Sequence, residues 1–162
     1  MWQKTDAGEM TFEAAAAYCK NLDLGEYYDW RLPSGIELFS INNYNQLKPA
    51  LDTTYFSDTK ADYWWTSETR ADDVSKVWVV NAGGGIGAHP KSETTSAGGS
   101  KSFHLRAVRS FYTTSLLENR FSDKGDSTIQ DNYTGLSWQK FRSPDAMTWE
   151  EALAHAKTCS LA

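Results

Sequence analysis

The stretch Y27-YDWRLPSGIELFSINN-Y44 decides how this chain folds. Pro33 pushes Leu32 away from helical geometry, so a helix can begin only after it. Ser34 is the natural N-cap, and Glu37, three residues on, matches a capping box. Leu38 and Ile41 then point to a core. Upstream, Trp30 and Leu32 suit burial. Arg31 between them needs a carboxylate or several carbonyls wherever it is buried, and Asp29 and Glu37 are the nearest acids. The segment reads as a hinge of the fold, with structural roles for Trp30, Arg31, Pro33 and Glu37, rather than as a ligand motif.

Elements follow on either side. EMTFEAAAAYCKNLDLG, from Glu9, predicts a helix with Thr11 as N-cap and Glu13 in its first turn. Ala14 to Ala17 favour helix. Phe12, Ala15, Ala16 and Cys19 form an apolar face, and Gly25 is the expected terminator. Residues 42–64 are polar and turn-rich and read as a long loop. YWWTSET and KVWVVNA, rich in Trp, Val and Tyr, predict strands. The Gly- and Ser-rich run 81–102 predicts no regular element, only a tight turn near Gly83 to Gly85 and a loop over 90–101. FHLRAVRS predicts a last strand, with Phe103, Leu105 and Ala107 alternating against His104, Arg106 and Val108.

Composition bounds the function. The chain has 162 residues, enough for one domain with a core plus a fragment of another. Its net charge of −5 and lack of a basic run argue against nucleic acid, whose binding depends on neutralising phosphates. No apolar run approaches the ~20 residues of a membrane span, and no signal peptide is visible at the polar start. No CxxC, HExxH or Cys/His cluster is present, so no zinc or haem motif is legible. Cys19 and Cys159 are compatible with one disulfide or two thiols.

The end of the chain repeats its beginning. GLSWQK at 135–140 echoes MWQK at 1–4, and AMTWEEALAHAK at 146–157 echoes EMTFEAAAAYCK at 9–20. Trp2 and Trp138 lie 136 positions apart, Met10 and Met147 137 apart. Matching blocks at a near-constant offset imply tandem homologous domains. Residues 1–111 thus hold most of one repeat, and residues 112–162 hold the opening third of the next.

Taken in order, TFEAAAAYCKNL, DWRLPSGIEL, YWWTSE, VWVVNAGGG and LRAVRS resemble the C-terminal domain of the Legionella collagen-like adhesin, a widespread bacterial domain of unknown function. RFSDKGDSTIQDNYTGLSWQK resembles the usual opening of the same domain. The resemblance implies that residues 1–111 form one domain lacking its opening hairpin, and that residues 112–162 supply the opening hairpin and first helix of a second copy, completing the first domain or swapping into a neighbouring molecule. That resemblance implies an α+β fold like that of C-type lectins and formylglycine-generating enzymes: two helices flanking twisted antiparallel strands, with long ligand-bearing loops. Similar domains often carry a Cys in the last strand, where this chain has Ala107. Cys159 is then the remaining candidate partner for Cys19. The formylglycine-generating relatives depend on late cysteines, which the neighbourhood of Ala107 does not offer.

Candidate sites follow. Tyr63, Trp64, Trp65 and Trp78 are the best sugar-binding group, because sugar C–H faces stack on aromatic rings while Asn, Asp and Glu bond the hydroxyls. Trp64 and Trp65 must face opposite sides of a strand, so one lines a site unless both sheet faces are covered. Glu68, Asp72 and Asp73 form an acidic set beside that strand, and Asn81 and His89 belong to the same expected surface. Asp123, Asp126 and Asp131 are oxygen ligands available for calcium as a cofactor, or are ordinary hairpin-turn residues. The expectation is a non-enzymatic, lectin-like adhesion module, extracellular, at the cell surface or periplasmic. It would recognise a glycan or surface protein through loops 61–75 and 82–101. The alternative is an assembly module that oligomerises through the second repeat.

Overall fold

The computed structural model describes residues 1–60, 62–93, 95–110, 119–143 and 145–159. Positions 61 and 94 of the expected recognition loops, and the expected boundary at 111–112, lie outside the described residues. The chain forms two compact units, Met1–Phe111 and Tyr112–Ala162. Among the described residues the architecture is mixed α+β, with three helices, a five-stranded mixed sheet and a three-stranded antiparallel sheet.

In the first unit, β1 (Glu9–Met10) precedes α1 (Phe12–Asn21) and α2 (Gly35–Ser40). Then come β2 (Tyr63–Thr69), β3 (Lys76–Asn81), β4 (Gly85–Pro90) and β5 (Phe103–His104). The sheet order is β1-β5-β2-β3-β4. β2 runs parallel to β5, and the other pairs are antiparallel. Helix α1 starts where Thr11 Oγ1 accepts the Ala14 N–H. It ends at Asn21, with Leu22 capping it through a bond to the Cys19 carbonyl. Gly25 does not terminate the helix. It sits at φ +65° in the turn closed by Leu24 and Tyr27, where a glycine is tolerated without strain. The buried face of α1 is Ala15 and Cys19, flanked by Phe12 and Tyr18, while Ala16 is exposed.

Around DWRLP the expected geometry is present. Ser34 and Glu37 form a full capping box at α2. Trp30, Leu32 and Pro33 are buried. Arg31 points outward and grips Glu37 with two bonds of 2.8 and 2.7 Å, and it also reaches Ser110. Burial opposes charge on Glu37, yet the Arg31 and Ser34 bonds outweigh it and hold the carboxyl below its ordinary range. The Arg31 backbone exchanges two bonds with Val108, so this hinge also clamps the end of the chain's first unit.

Both faces of the sheet are covered, and that settles the Trp64–Trp65 alternative: both are core, 3% and 0% exposed. Trp65 packs with Val77, Val79, Phe103, Leu105 and α1, and its Nε1 donates to the Met10 carbonyl at 2.8 Å. Trp64 packs on the other face with Val80, Leu38 of α2 and Leu51 of the long loop. The glycine-rich run departs from expectation, because Gly85–Pro90 is a strand. β4 pairs with β3 through six backbone partners, from Lys76↔Pro90 to Asn81↔Gly85. FHLRAVRS is laddered only at Phe103–His104, with isolated bridges from Val108 to Trp2 and to Arg31. Along 1–8 its neighbour contains a turn in which Asp6 Oδ1 accepts the Gly8 N–H, and single backbone bonds from Gln3 to Ala107 and from Ala7 to Leu105 stand in place of a continuous ladder. Arg106 is 1% exposed. It bonds the Gln3 and Lys4 carbonyls, Thr59 and Asp58, and lies over Phe56 and Trp64. A buried guanidinium is tolerable because its donors are satisfied in this way.

In the second unit, β6 (Phe121–Asp123), β7 (Thr128–Asp131) and β8 (Ser137–Gln139) form an antiparallel sheet in that order. Helix α3 (Trp149–Thr158) follows, capped by a Thr148–Glu151 box. No residue of α3 is buried. Cys19 is buried, Cys159 is exposed, and both are free thiols.

Candidate functional site

The β3–β4 hairpin builds an open groove. Asn81 Oδ1 accepts the Gly83 N–H at 2.6 Å and the Asn81 carbonyl accepts the Gly84 N–H, closing the turn. Gly84 has φ +100°, a region costly for any side-chain-bearing residue. Beyond the turn, Gly85, Gly87 and His89 share one sheet face by the two-residue period, opposite Asn81, Val79 and Val77. A Cβ on Gly85 or Gly87 would meet nothing within 4 Å. These missing side chains leave a trough of about 360 Å³ lined by Tyr63, Asn81, Ile86, Ala88, His89 and Gly83, Gly85 and Gly87. That volume lies within the range of small-ligand sites.

One wall is aromatic. The Tyr63 ring meets His89 edge-on at 5.2 Å, and Phe103 lies 5.3 Å from Tyr63 and 5.1 Å from His89. Lys101 sits over Phe103, pairs with Glu93 at 2.9 Å and approaches His89 Nδ1 at 3.4 Å. Burial, then the Lys101 charge, push the His89 pKa down. At neutral pH His89 is therefore an uncharged imidazole, able to donate and accept hydrogen bonds. The groove thus combines a stacking wall, an amide, a phenol and an imidazole.

The structure gathers Tyr63, Asn81 and His89 of the expected site residues here and distributes the others. Trp64 and Trp65 are sealed in the core. Trp78 is 37% exposed but belongs to the opposite parity of β3. Glu68 accepts the Gly35 N–H at 2.9 Å at the start of α2. Asp72 pairs with Arg70. Asp73 accepts from Ser75 and pairs with Lys76, which lowers its pKa to about 2. These three carboxylates are local caps and pairs. The residues that sequence reasoning missed are the spaced glycines Gly85 and Gly87, since Ile86 and Ala88 pair with Val80 and Trp78 on the other parity. Their signal was the alternation of glycine in GGIGAH, which keeps one strand face bare.

In the second unit the acidic set serves the hairpin. Asp123 accepts the Gly125 N–H and pairs with Lys140. Asp126 accepts from both the backbone and hydroxyl of Thr128. Asp131 is buried, and the bidentate Arg120 bond holds its carboxyl far below the usual range, with the Tyr133 and Thr134 N–H groups adding to it. Asp123 stands opposite Ile129 and Asp131 opposite Phe121, at different rungs of the ladder. The three carboxylates do not converge on one point as calcium ligands do.

No helix is long and apolar enough to cross a membrane among the described residues. No curated protein and no solved structure matches the chain. One family model, described as the Lcl C-terminal domain, matches residues 1–109. That span takes in the whole five-stranded sheet, both flanking helices and the groove, and the chain therefore belongs to the Lcl C-terminal domain family.

Proposed function

We propose that residues 1–109 form a non-enzymatic carbohydrate-binding module with a C-type-lectin-like fold, acting in adhesion outside the cell or at its surface. The observation that carries this reading is the groove between Tyr63, Asn81 and His89, floored by Gly85 and Gly87. A sugar ring lays its C–H face on Tyr63 while Asn81 and His89 bond its hydroxyls. Two helices on opposite faces of a twisted sheet and a long loop over 42–60 support the lectin-like fold. Tyr63 of the expected segment 61–75 supplies the groove wall, and Gly83 to His89 of the segment 82–101 supply the hairpin. Among the described residues no carboxylate lines the groove, so the recognition proposed here does not use calcium.

A glycan array that includes sulfated glycans, run with and without added calcium, tests the proposal. The expected result is selective binding, equal in both arms, lost at least tenfold in Gly87→Val. Gly87 has an ordinary φ and open space at its Cβ, so the valine fills the groove without straining the fold. Absence of binding, or equal binding by Gly87→Val, contradicts it.

A second reading rests on the second unit. Phe121, Trp138, Phe141 and Trp149 are 58%, 55%, 63% and 71% exposed. So many large apolar groups on a small unit favour assembly with a second copy of this chain. Sedimentation equilibrium tests it: a dimer dispersed by Trp149→Lys supports assembly, and a monomer at all concentrations contradicts it.

A further inference from the structure

His104 occupies an unusual position. It lies on β5 between β1 and β2, paired with Glu9 on one side and Trp64 on the other. Its side chain is 6% exposed, and the ring lies 5.2 Å from that of Trp64, tilted by 30°. Nδ1 meets Asp6 Oδ2 at 2.6 Å. Asp6 is itself fixed, because its Oδ1 accepts the Gly8 N–H and its own N–H binds Asp58, the partner of Arg106. Acceptance by Asp6 places a proton on Nδ1, and in the neutral ring this leaves Nε2 as a lone pair on the side away from Asp6.

Nε2 is buried and has no hydrogen-bond partner. It faces two carboxylates, Glu9 Oε1 at 3.3 Å and Asp62 Oδ2 at 3.7 Å. The three atoms lie within 4.8 Å of one another. With the ring neutral and its proton on Nδ1, these are three acceptors turned toward one point with no donor among them, a costly arrangement unless a cation sits between them. The spacing argues the same way. Ligands about 2.1 Å from a tetrahedral ion stand about 3.4 Å apart, whereas an N–H···O bond is shorter, about 2.9 Å.

We propose that His104 Nε2, Glu9 and Asp62 bind a divalent first-row transition ion of the zinc class, with Asp6 as the positioning residue. An imidazole flanked by two carboxylates suits such ions, and an outer carboxylate on the second ring nitrogen orients metal-bound histidines. Glu9 and Asp62 are 58% and 53% exposed, so the ion enters from solvent and keeps a coordination position for water or another ligand. The site joins β1, β5 and the start of β2, so it braces the sheet edge that holds the N-terminal segment. It stands apart from the glycan proposal and is measured without any glycan.

The test is calorimetric titration of the full chain with Zn²⁺. His155→Ala and Cys159→Ser are introduced first, to remove an exposed imidazole and an exposed thiol that offer zinc competing ligands at the end of α3. One equivalent is expected to bind, raising the Tm by about 5 °C or more at a hundredfold excess over Kd. Glu9→Gln and Asp62→Asn keep the fold, since both side chains are half exposed, and each lowers affinity at least tenfold. Asp6→Asn lowers it by about ten- to a hundredfold while leaving the stoichiometry at one. Cobalt in place of zinc gives visible d–d bands that vanish in Asp62→Asn. No heat of binding overturns the proposal, as do Glu9→Gln and Asp62→Asn variants that bind like the parent. Nitrogen-15 spectra showing His104 protonated on both nitrogens and unmoved by Zn²⁺ overturn it too, because the ring is then an imidazolium paired with Asp6 and Glu9.

Discussion

Helices α1 and α3 are two copies of one sequence idea in different surroundings. Each starts at a threonine N-cap, Thr11 or Thr148, whose hydroxyl accepts the third helical N–H at 3.3 Å. Each runs ten residues and ends on an extended cap residue. Yet α1 buries Ala15 and Cys19 against Trp65, Val77 and Leu105, while no side chain of α3 is buried. The caps act within four residues and work in either place. Burial depends on strands and loops far along the chain, and only the first unit brings these to its helix. Local chemistry starts a helix, and tertiary packing gives it most of its stability.

Substitutions that separate local from tertiary effects put this comparison at risk. The largest difference is expected between tryptophans. Trp65→Ala empties a fully buried site and costs about 3–5 kcal/mol, whereas Trp149→Ala stays within about 0.5 kcal/mol. Urea denaturation measures both, and equal losses break the comparison. Next come the thiols. Burial pushes Cys19 up to about 11, while Cys159 is exposed. At pH 8 a disulfide reagent is expected to modify Cys159 at least a hundredfold faster than Cys19, since the thiolate is the nucleophile. Denaturant should abolish most of that ratio.

Adding the same bulk to both helices follows. Ala15→Leu overpacks a closed core and costs about 1–3 kcal/mol. Ala152→Leu, on an exposed face, changes stability by less than about 0.5 kcal/mol. Thermal denaturation of the two single variants gives the answer. The smallest effect is the shared one. Thr11→Ala and Thr148→Ala each remove one cap and should cost about 1 kcal/mol alike. Circular dichroism on each unit checks this, and a cap that mattered in only one copy would show that packing, not the cap, sets the helix start.

Legibility in the sequence followed the same division. The Thr11 cap, the Ser34–Glu37 box and the strands YWWTSET and KVWVVN could be read because their causes lie within a few residues. β4 could not. Six backbone pairs with β3 hold it, and backbone pairing leaves little trace in side-chain pattern when glycine occupies alternate positions. The groove was half legible for the same reason. Asn81 and His89 were singled out by type, but its floor consists of side chains that are absent. Trp64 and Trp65 could not be assigned from the strand alone, since only the sheet's two covers, α1 and α2 with its loop, make both of them core. Glu9, Asp62 and His104 share no motif spacing. They meet because β1, β5 and β2 are neighbours in the sheet, a parallel crossover that no local pattern announces.

The central claim is that the bare face of β4 beside Tyr63 is where this domain meets its ligand. Chemical-shift mapping of the nitrogen-15-labelled chain, titrated with a glycan retained on the array, tests it most directly. The account predicts shifts concentrated at Tyr63, Asn81, Gly85, Gly87 and His89, with α3 and the second hairpin unmoved. Shifts centred on the second unit, or on the Trp78 face of the sheet, would contradict it.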